Sequence, residues 1–247
     1  MKTKIFPYVG DYQIIDPIKF YKRMPAKWIA KHAWLNKEYI ETNMGPIKKA
    51  IQGPHDEKVY TGVLVVSPTP ERQYYTLVTS GMSVLPMSYD PQDHCQAHLR
   101  AEVYMHLPLS WKLDKESLAT PEWGWPVAWL LYTAKFPHIY RVKVEWGSAI
   151  ELSGSPDGVM GDSNFTGCLI LTSLKHSAGV DMPDIDPLLP INYYNLYPAY
   201  KEEIEDALKL GSYCSESVIR LQKLLIANEM NGPLDIKRKN VITNENH

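Results

Sequence analysis

Hydrophobic and polar positions alternate most regularly between His98 and Leu107. Leu99, Ala101, Val103, Met105 and Leu107 hold one phase, His98, Arg100, Glu102, Tyr104 and His106 the other, and Pro108 closes the run. A period of two predicts a half-buried strand whose polar row is solvated or faces a partner. Two β-type runs precede it, Val59 to Val66 (VYTGVLVV) and Gln73 to Thr79 (QYYTLVT), separated by Ser67-Pro68-Thr69-Pro70. They read as antiparallel neighbours, with Glu71-Arg72 at the turn exit. Arg141 to Trp146 alternates again, with Val142 and Val144 on one face, and Phe165 to Leu174 reads as a buried strand.

Helical spacing appears in four places. Trp34 to Asn43 carries helix formers and stops at Asn43-Met44-Gly45-Pro46. Pro126 suits a first helical position, Val127, Leu130, Leu131 and Ala134 follow in helical phase, and Pro137 is the predicted end. Pro198 opens a third segment in which Tyr200, Ile204 and Leu208 share a face with Ala207 beside them, Lys201 and Glu205 form a supporting pair, and Gly211 is the stop. Val218, Leu221, Leu224 and Leu225 mark the fourth. Asn231 to His247 has few apolar residues and is predicted to fray. Strands grouped together rather than alternating with helices predict an α+β fold, a mixed or antiparallel sheet with helices packed on it.

Composition narrows the function classes. The 247 residues are 45% hydrophobic and 22% charged, enough for a sizeable core in one domain. A net charge of −2 argues against general affinity for nucleic acid or membrane. Cys95, Cys168 and Cys214 are odd in number and far apart, which indicates neither a disulfide framework nor a zinc knuckle. No apolar run is long enough for a signal peptide or a membrane span, so a cytoplasmic location is expected and the sequon Asn164-Phe165-Thr166 carries no meaning there.

The candidate chemistry is thin. His94, His98, Glu102 and His106 recur every fourth residue, which on a helix would line up metal ligands. On a strand, residues four apart sit roughly 13 Å from one another, too far to share an ion, and no metal is expected. Gly161-Asp162-Ser163 resembles a nucleophile block, but turn geometry favours the same residues in a Gly-rich loop. Gly154-Ser155-Pro156-Asp157-Gly158 is a turn by composition; Ser153 stands where a nucleophile elbow needs glycine. Cys168, inside a buried run, reads as a small core residue, and Trp123, Trp125, Trp129 and Trp146 read as core rather than sugar-stacking groups. Asp181, Asp184 and Asp186 form the one dense acidic loop, without the glycine and distal glutamate of a calcium loop. No catalytic, cofactor-binding or metal residue is assigned.

Ordered short motifs carry a resemblance. Val65-Val66-Ser67-Pro68-Thr69-Pro70-Glu71-Arg72 leads into Tyr74-Tyr75-Thr76-Leu77-Val78-Thr79-Ser80-Gly81-Met82-Ser83, then Arg100 to Pro108 with Trp111, Trp125-Pro126, Lys135-Phe136-Pro137-His138, Trp146-Gly147, Gly167 to Leu171, and Ile191 to Glu203. Over roughly residues 34–226 the chain resembles the bacterial branch of the suppressor-of-fused family. The resemblance implies an α+β fold without known enzymatic activity and no catalytic residue to carry over. The family's animal namesake restrains a transcription factor by binding it, and bacterial members are thought to bind and neutralise a toxin, often a nuclease, encoded beside them. Ser148 stands where members often carry histidine after Trp-Gly, and residues 1–33 have no clear counterpart.

The expected organisation is an N-terminal extension at 1–33 packed on or preceding the domain, the domain at 34–226, and a flexible tail at 227–247. The expected function is a cytoplasmic immunity protein binding a toxin, with no nucleic acid, membrane or small-molecule ligand. The alternatives are a regulatory scaffold for an endogenous protein and, behind it, a hydrolase built on His98, Glu102 and His106 or on Ser163. Against a positively charged nuclease site, Asp181, Asp184 and Asp186 would steer encounter, and Tyr193, Tyr194 and Tyr197 would supply the buried hold.

Overall fold

The protein is described from a computed structural model covering residues 10, 12–24, 31–53, 59–87, 99–151, 163–172, 191–209, 216–230 and 232–242. Eight strands form one sheet among these residues: β1 (Gln13–Ile15), β2 (Ile47–Gln52), β3 (Gly62–Val66), β4 (Tyr74–Ser80), β5 (Ala101–Pro108), β6 (Ala149–Glu151), β7 (Gly167–Leu171) and β8 (Asn192–Ala199). Their order is β1-β2-β3-β4-β5-β8-β7-β6. Every pairing is antiparallel except β5 with β8, which run parallel. The six helices are α1 (Pro17–Arg23), α2 (Lys31–Asn43), α3 (Lys115–Leu118), α4 (Pro121–Tyr140), α5 (Lys201–Leu208) and α6 (Glu216–Ala227). The α+β class, the β3–β4 antiparallel pair and the strand at β5 follow the hydrophobic pattern.

Both faces of the sheet are covered, and that overturns the half-buried reading of β5. On one face α4 sets Trp125, Trp129 and Leu130 against Val63, Leu77, Val103 and Met105. On the other, α1 contributes Phe20 and Tyr21 and α2 contributes Ile40 over Leu64, Val78 and Tyr104. Further along that face α5 and α6 bring Ile204, Val218, Leu221 and Leu225 over Leu169 and Tyr197. The polar row of β5 therefore faces a second helical layer. Phe20 packs so tightly on β3 that a Cβ at Gly62 would lie 2.4 Å from its ring, which explains glycine there.

Several boundaries differ from the pattern-based reading. Helix α4 starts at Pro121 and ends at Tyr140, so Pro126 and Pro137 both lie inside it. Each removes one backbone donor and disfavours the helix. Burial of Trp125, Trp129, Leu130 and Ala134 against the sheet overrides that penalty. Residues 141–146 are not a strand: Val144 is buried and Val142 exposed, and β6 begins only at Ala149. Pro198 lies within β8, opposite Cys168, and the following helix starts at Lys201. Of the predicted face of α5, Ile204 and Ala207 are buried, while Leu208 is exposed. The Lys201–Glu205 pair forms at 3.6 Å, while Gly211 lies outside the described residues.

The two chain ends meet the sheet as well. β1 pairs with β2 as an edge strand, and Asp16 caps α1 by accepting from Lys19 N at 3.1 Å. At the other end, residues 232–242 are docked, which corrects the expectation of a flexible tail for that stretch. Leu234 N donates to His106 O at 2.8 Å, and Arg238 and Val241 are buried. A buried ion pair joins the apolar contacts of Leu234, Ile236, Val241 and Ile242 in holding the segment: Arg238 Nη1 and Nη2 donate to Glu203 at 2.7 and 2.5 Å.

Candidate functional site

Glu102 is the most heavily engaged polar residue of the sheet. It sits on β5 with no solvent exposure, and five neutral donors converge on its carboxylate. Oε2 accepts from Thr79 Oγ1 on β4 at 2.6 Å. Oε1 accepts from Ser83 Oγ at 2.6 Å, Gly81 N at 3.0 Å, Ser83 N at 3.1 Å and Asn36 Nδ2 on α2 at 3.3 Å. Gly81 has φ 119° and backs onto Tyr60 O, so the turn that aims these N–H groups requires glycine. Tyr193 OH donates in turn to Asn36 Oδ1. Burial pushes the Glu102 carboxyl above the usual range, and the hydrogen bonds from Ser83, Thr79 and Gly81 hold that shift back.

The neighbouring basic side chains of Arg100 and His138 serve the same turn rather than the carboxylate. Arg100 Nη1 donates to Ser83 O and Val84 O, both at 2.7 Å. His138 Nε2 meets Met82 O at 3.0 Å from α4, and burial lowers its basicity. The constellation locks the turn 81–84 between β4, β5, α2 and α4. His106, on the same row as Glu102, contacts Thr76 Oγ1 through Nδ1 at 3.0 Å, and its ring lies 4.5 Å from that of Tyr74. Among the described residues no group of three or more His, Cys, Asp or Glu is placed to hold a metal ion, and His94 and His98 lie outside them.

A cleft opens where the parallel strands part. β5 and β8 pair from Ala101↔Asn192 to Tyr104↔Asn195. Beyond that point the C-terminal segment enters the fork, with Leu234 N on His106 O and Arg238 Nη2 on Pro198 O, each at 2.8 Å. The cavity left between strands and segment measures about 460 Å³ and is reached by Asn195, Tyr197, Met230 and Leu234. Tyr197 OH donates to Met230 O at 3.2 Å, and burial pushes its phenol up to about 12. Arg238 is stacked within 5.0 Å of the rings of Phe165, Tyr197 and Tyr200.

The partner residues expected from the sequence do not gather into one surface. Asp181, Asp184 and Asp186 lie outside the described residues. Tyr193, Tyr194 and Tyr197 are on β8, with 8%, 2% and 8% of their surface exposed, so their rings belong to the core. Only Tyr197 touches the cleft. Ser163 lies in the approach to β7, with Gly161 and Asp162 outside the described residues, as are Cys95 and Cys214. Cys168 is buried in β7, where desolvation raises its thiol pKa well above normal. Trp125 and Trp129 are core, and Trp123 and Trp146 are half-buried against it. The sequence reading missed Asn36, Thr79, Ser83, Asn195 and Arg238. Arg100, Glu102, Tyr104 and His106 carried no signal that this face is covered, because charged and polar residues in strand phase read as a solvated row.

The suppressor-of-fused protein (SUFU) family model matches residues 57–239. The chain belongs to the suppressor-of-fused family. The matched span takes in Glu102 and its β4 and turn donors, the cleft and the docked segment to Lys239. No curated protein matches the chain. Among solved structures, it is similar to the crystal structure at 1.40 Å of a SUFU homolog from Neisseria gonorrhoeae FA 1090, with a TM-score of 0.57 and 16% identity. The similarity covers 85% of this chain and 97% of that one. At that identity the likeness concerns the fold, which the suppressor-of-fused architecture shares with this sheet and its helices.

Proposed function

We propose that this suppressor-of-fused domain is a non-enzymatic protein-binding domain of the immunity type, which holds a toxin encoded beside it inactive by covering it in the cytoplasm. The observation that supports this reading is the family match over residues 57–239. Family membership is consistent with a protein-interaction domain. The chemistry of Glu102 suits a scaffold too: a carboxylate sealed by five donors fixes a turn and reaches no substrate. No helix among the described residues is long and apolar enough to cross a membrane.

In this proposal the acidic stretch Asp181 to Asp186 steers the encounter. Asp181, Asp184 and Asp186 complement a site built to attract phosphate, and such steering accelerates association in a salt-dependent way. The buried rings of Tyr193 and Tyr194 do not add to that surface, so the close contact comes from exposed residues elsewhere. Co-expression with the product of the adjacent gene tests the reading: growth is rescued and the two proteins co-purify. Changing the three aspartates to Asn then slows association at low salt and flattens its salt dependence. Failure to bind any neighbour-encoded product moves the function to a regulatory scaffold for an endogenous protein.

A further inference from the structure

Charge is not spread evenly along the chain. Residues 1–37 hold eight Lys and Arg against two Asp, whereas residues 38–247 hold 18 Lys and Arg against 26 Asp and Glu. The net charge of −2 therefore conceals a basic N-terminal part and an acidic remainder. Such asymmetry points to an anionic partner for the basic part.

Helix α1 presents part of that charge on one side. Pro17, Phe20 and Tyr21 are buried, with both rings packed in the layer over the sheet. At about 100° per residue the opposite side is Ile18, Lys19, Lys22 and Arg23, and all four are exposed. Arg23 Nη1 donates to Gln13 Oε1 at 3.3 Å, a neutral partner that leaves the guanidinium charge uncompensated. Asp16, the acidic residue beside the helix, accepts from Lys19 N with its side chain as the cap. Among the described residues no carboxylate forms an ion pair with Lys19, Lys22 or Arg23. Ile18 stands among these cations with 49% of its surface exposed.

We infer that the exposed side of α1 docks on an anionic lipid surface. Lys19, Lys22 and Arg23 meet the headgroup phosphates, and Ile18 enters the boundary with the acyl chains. Nucleic acid fits this side less well. Single strands are held by aromatic rings that stack on bases, and here Phe20 and Tyr21 are turned into the core. The neighbouring sequence has the same chemistry: residues 1–9 and 25–30 contain Lys2, Lys4 and Lys27 with Ile5, Phe6 and Trp28, and no carboxylate. Three cations and one aliphatic side chain give a reversible, salt-sensitive attachment rather than a permanent anchor. Because α1 and α4 cover opposite faces of the sheet, the attached protein keeps its α4 side in solution. The docking departs from the expectation of no membrane, and it stands apart from toxin binding, since neither needs the other.

Cosedimentation of the full chain with vesicles tests this, using phosphatidylcholine alone or mixed in equal parts with phosphatidylglycerol. At low salt the chain sediments with the phosphatidylglycerol vesicles only, and about 0.5 M salt releases it. Lys19→Ser/Lys22→Ser/Arg23→Ser weakens partition at least about tenfold. Ile18→Ser weakens it about threefold or more. Removing as many exposed cations elsewhere, in Lys115→Ser/Lys237→Ser/Lys239→Ser, changes it less than about twofold. Every substituted residue is exposed, so each variant keeps its thermal midpoint. No sedimentation with phosphatidylglycerol vesicles at low salt overturns the proposal. So does equal loss in the two triple variants, which would assign binding to net charge. Binding to a single-stranded oligonucleotide as tight as to vesicles, and untouched by Ile18→Ser, overturns it in favour of a phosphate polymer.

Discussion

Glu102 and Glu203 are both sealed from solvent, with 0% exposure each, yet the chain meets the two buried carboxylates in opposite ways. Glu102 receives only neutral donors, from β4, the turn after it and α2. Glu203, in the first turn of α5, receives a guanidinium, with Tyr200 N and Val241 N beside it at 3.0 and 3.1 Å. Four of the five neutral donors come from β4 and the turn that follows it, and they brace that turn. A cation from 35 residues downstream fastens a distant segment to the sheet. The first arrangement leaves a charge that depends on pH; the second centres a distant attachment on one buried ion pair.

Removing the cation has the largest expected effect. In Arg238→Met the Glu203 carboxylate stays buried without its partner, and breaking a buried pair in this way costs about 3–5 kcal/mol. Urea denaturation measures it. Ending the chain at Gly232 removes the same partner together with the Leu234–His106 bond and costs at least as much. A change of less than about 1 kcal/mol in either protein would mean that the segment is laid on the surface rather than fastened.

The second effect lies at Glu102. Leucine there leaves the N–H groups of Gly81 and Ser83 buried without an acceptor, since backbone donors cannot turn away as hydroxyls can. Two such losses cost at least about 2 kcal/mol. The damage concentrates in the turn 81–84, so hydrogen exchange of Gly81 and Ser83 amides accelerates more than that of β7.

These two carboxylates also mark where sequence reading stops. The β3–β4 pair was legible because Val-rich runs lie between Pro-rich breaks, and α6 because Val218, Leu221 and Leu225 keep helical phase. β8 was not, because INYYNLYPA carries two asparagines and a proline, and its parallel partner β5 lies some 90 residues earlier in the chain. The docked segment was illegible for a related reason. Its apolar residues Leu234, Ile236, Val241 and Ile242 are few and follow no strand or helix period, and Arg238 among them reads as exposed unless its buried partner Glu203 is known. The phase of β5 was read correctly, but a local alternation cannot reveal that α1 and α2 return to cover its polar row.

A pH series separates the two arrangements further. Burial raises the folded pKa of Glu102 above its ordinary value of 4.5. A raised carboxyl contributes its stability fully below the unfolded pKa and loses it as pH rises through the folded value. Glu102→Gln mimics the protonated carboxyl, with its amide N–H toward Thr79, and lacks that loss. The stability of Glu102→Gln relative to the unaltered chain therefore grows from about pH 4.5 upward in urea titrations. A gap that closes or reverses with rising pH would show that the five donors outweigh burial and hold an anion.

The smallest effect comes from a third carboxylate, two residues from Glu203 on the same helix. Glu205 pairs with Lys201 at 3.6 Å, with side chains 58% and 61% exposed. Water screens this pair and already solvates both ions, so holding two long side chains together returns little. Lys201→Ala changes stability by less than about 0.5 kcal/mol, several-fold below Arg238→Met, although both delete one cation facing one α5 glutamate. The contrast isolates burial, because helix, carboxylate and loss of one positive charge are common to both. If Lys201→Ala were as damaging as Arg238→Met, the Glu203–Arg238 effect would have to be assigned to α5 as a helix, through its first-turn charges, and no longer to the sealed ion pair.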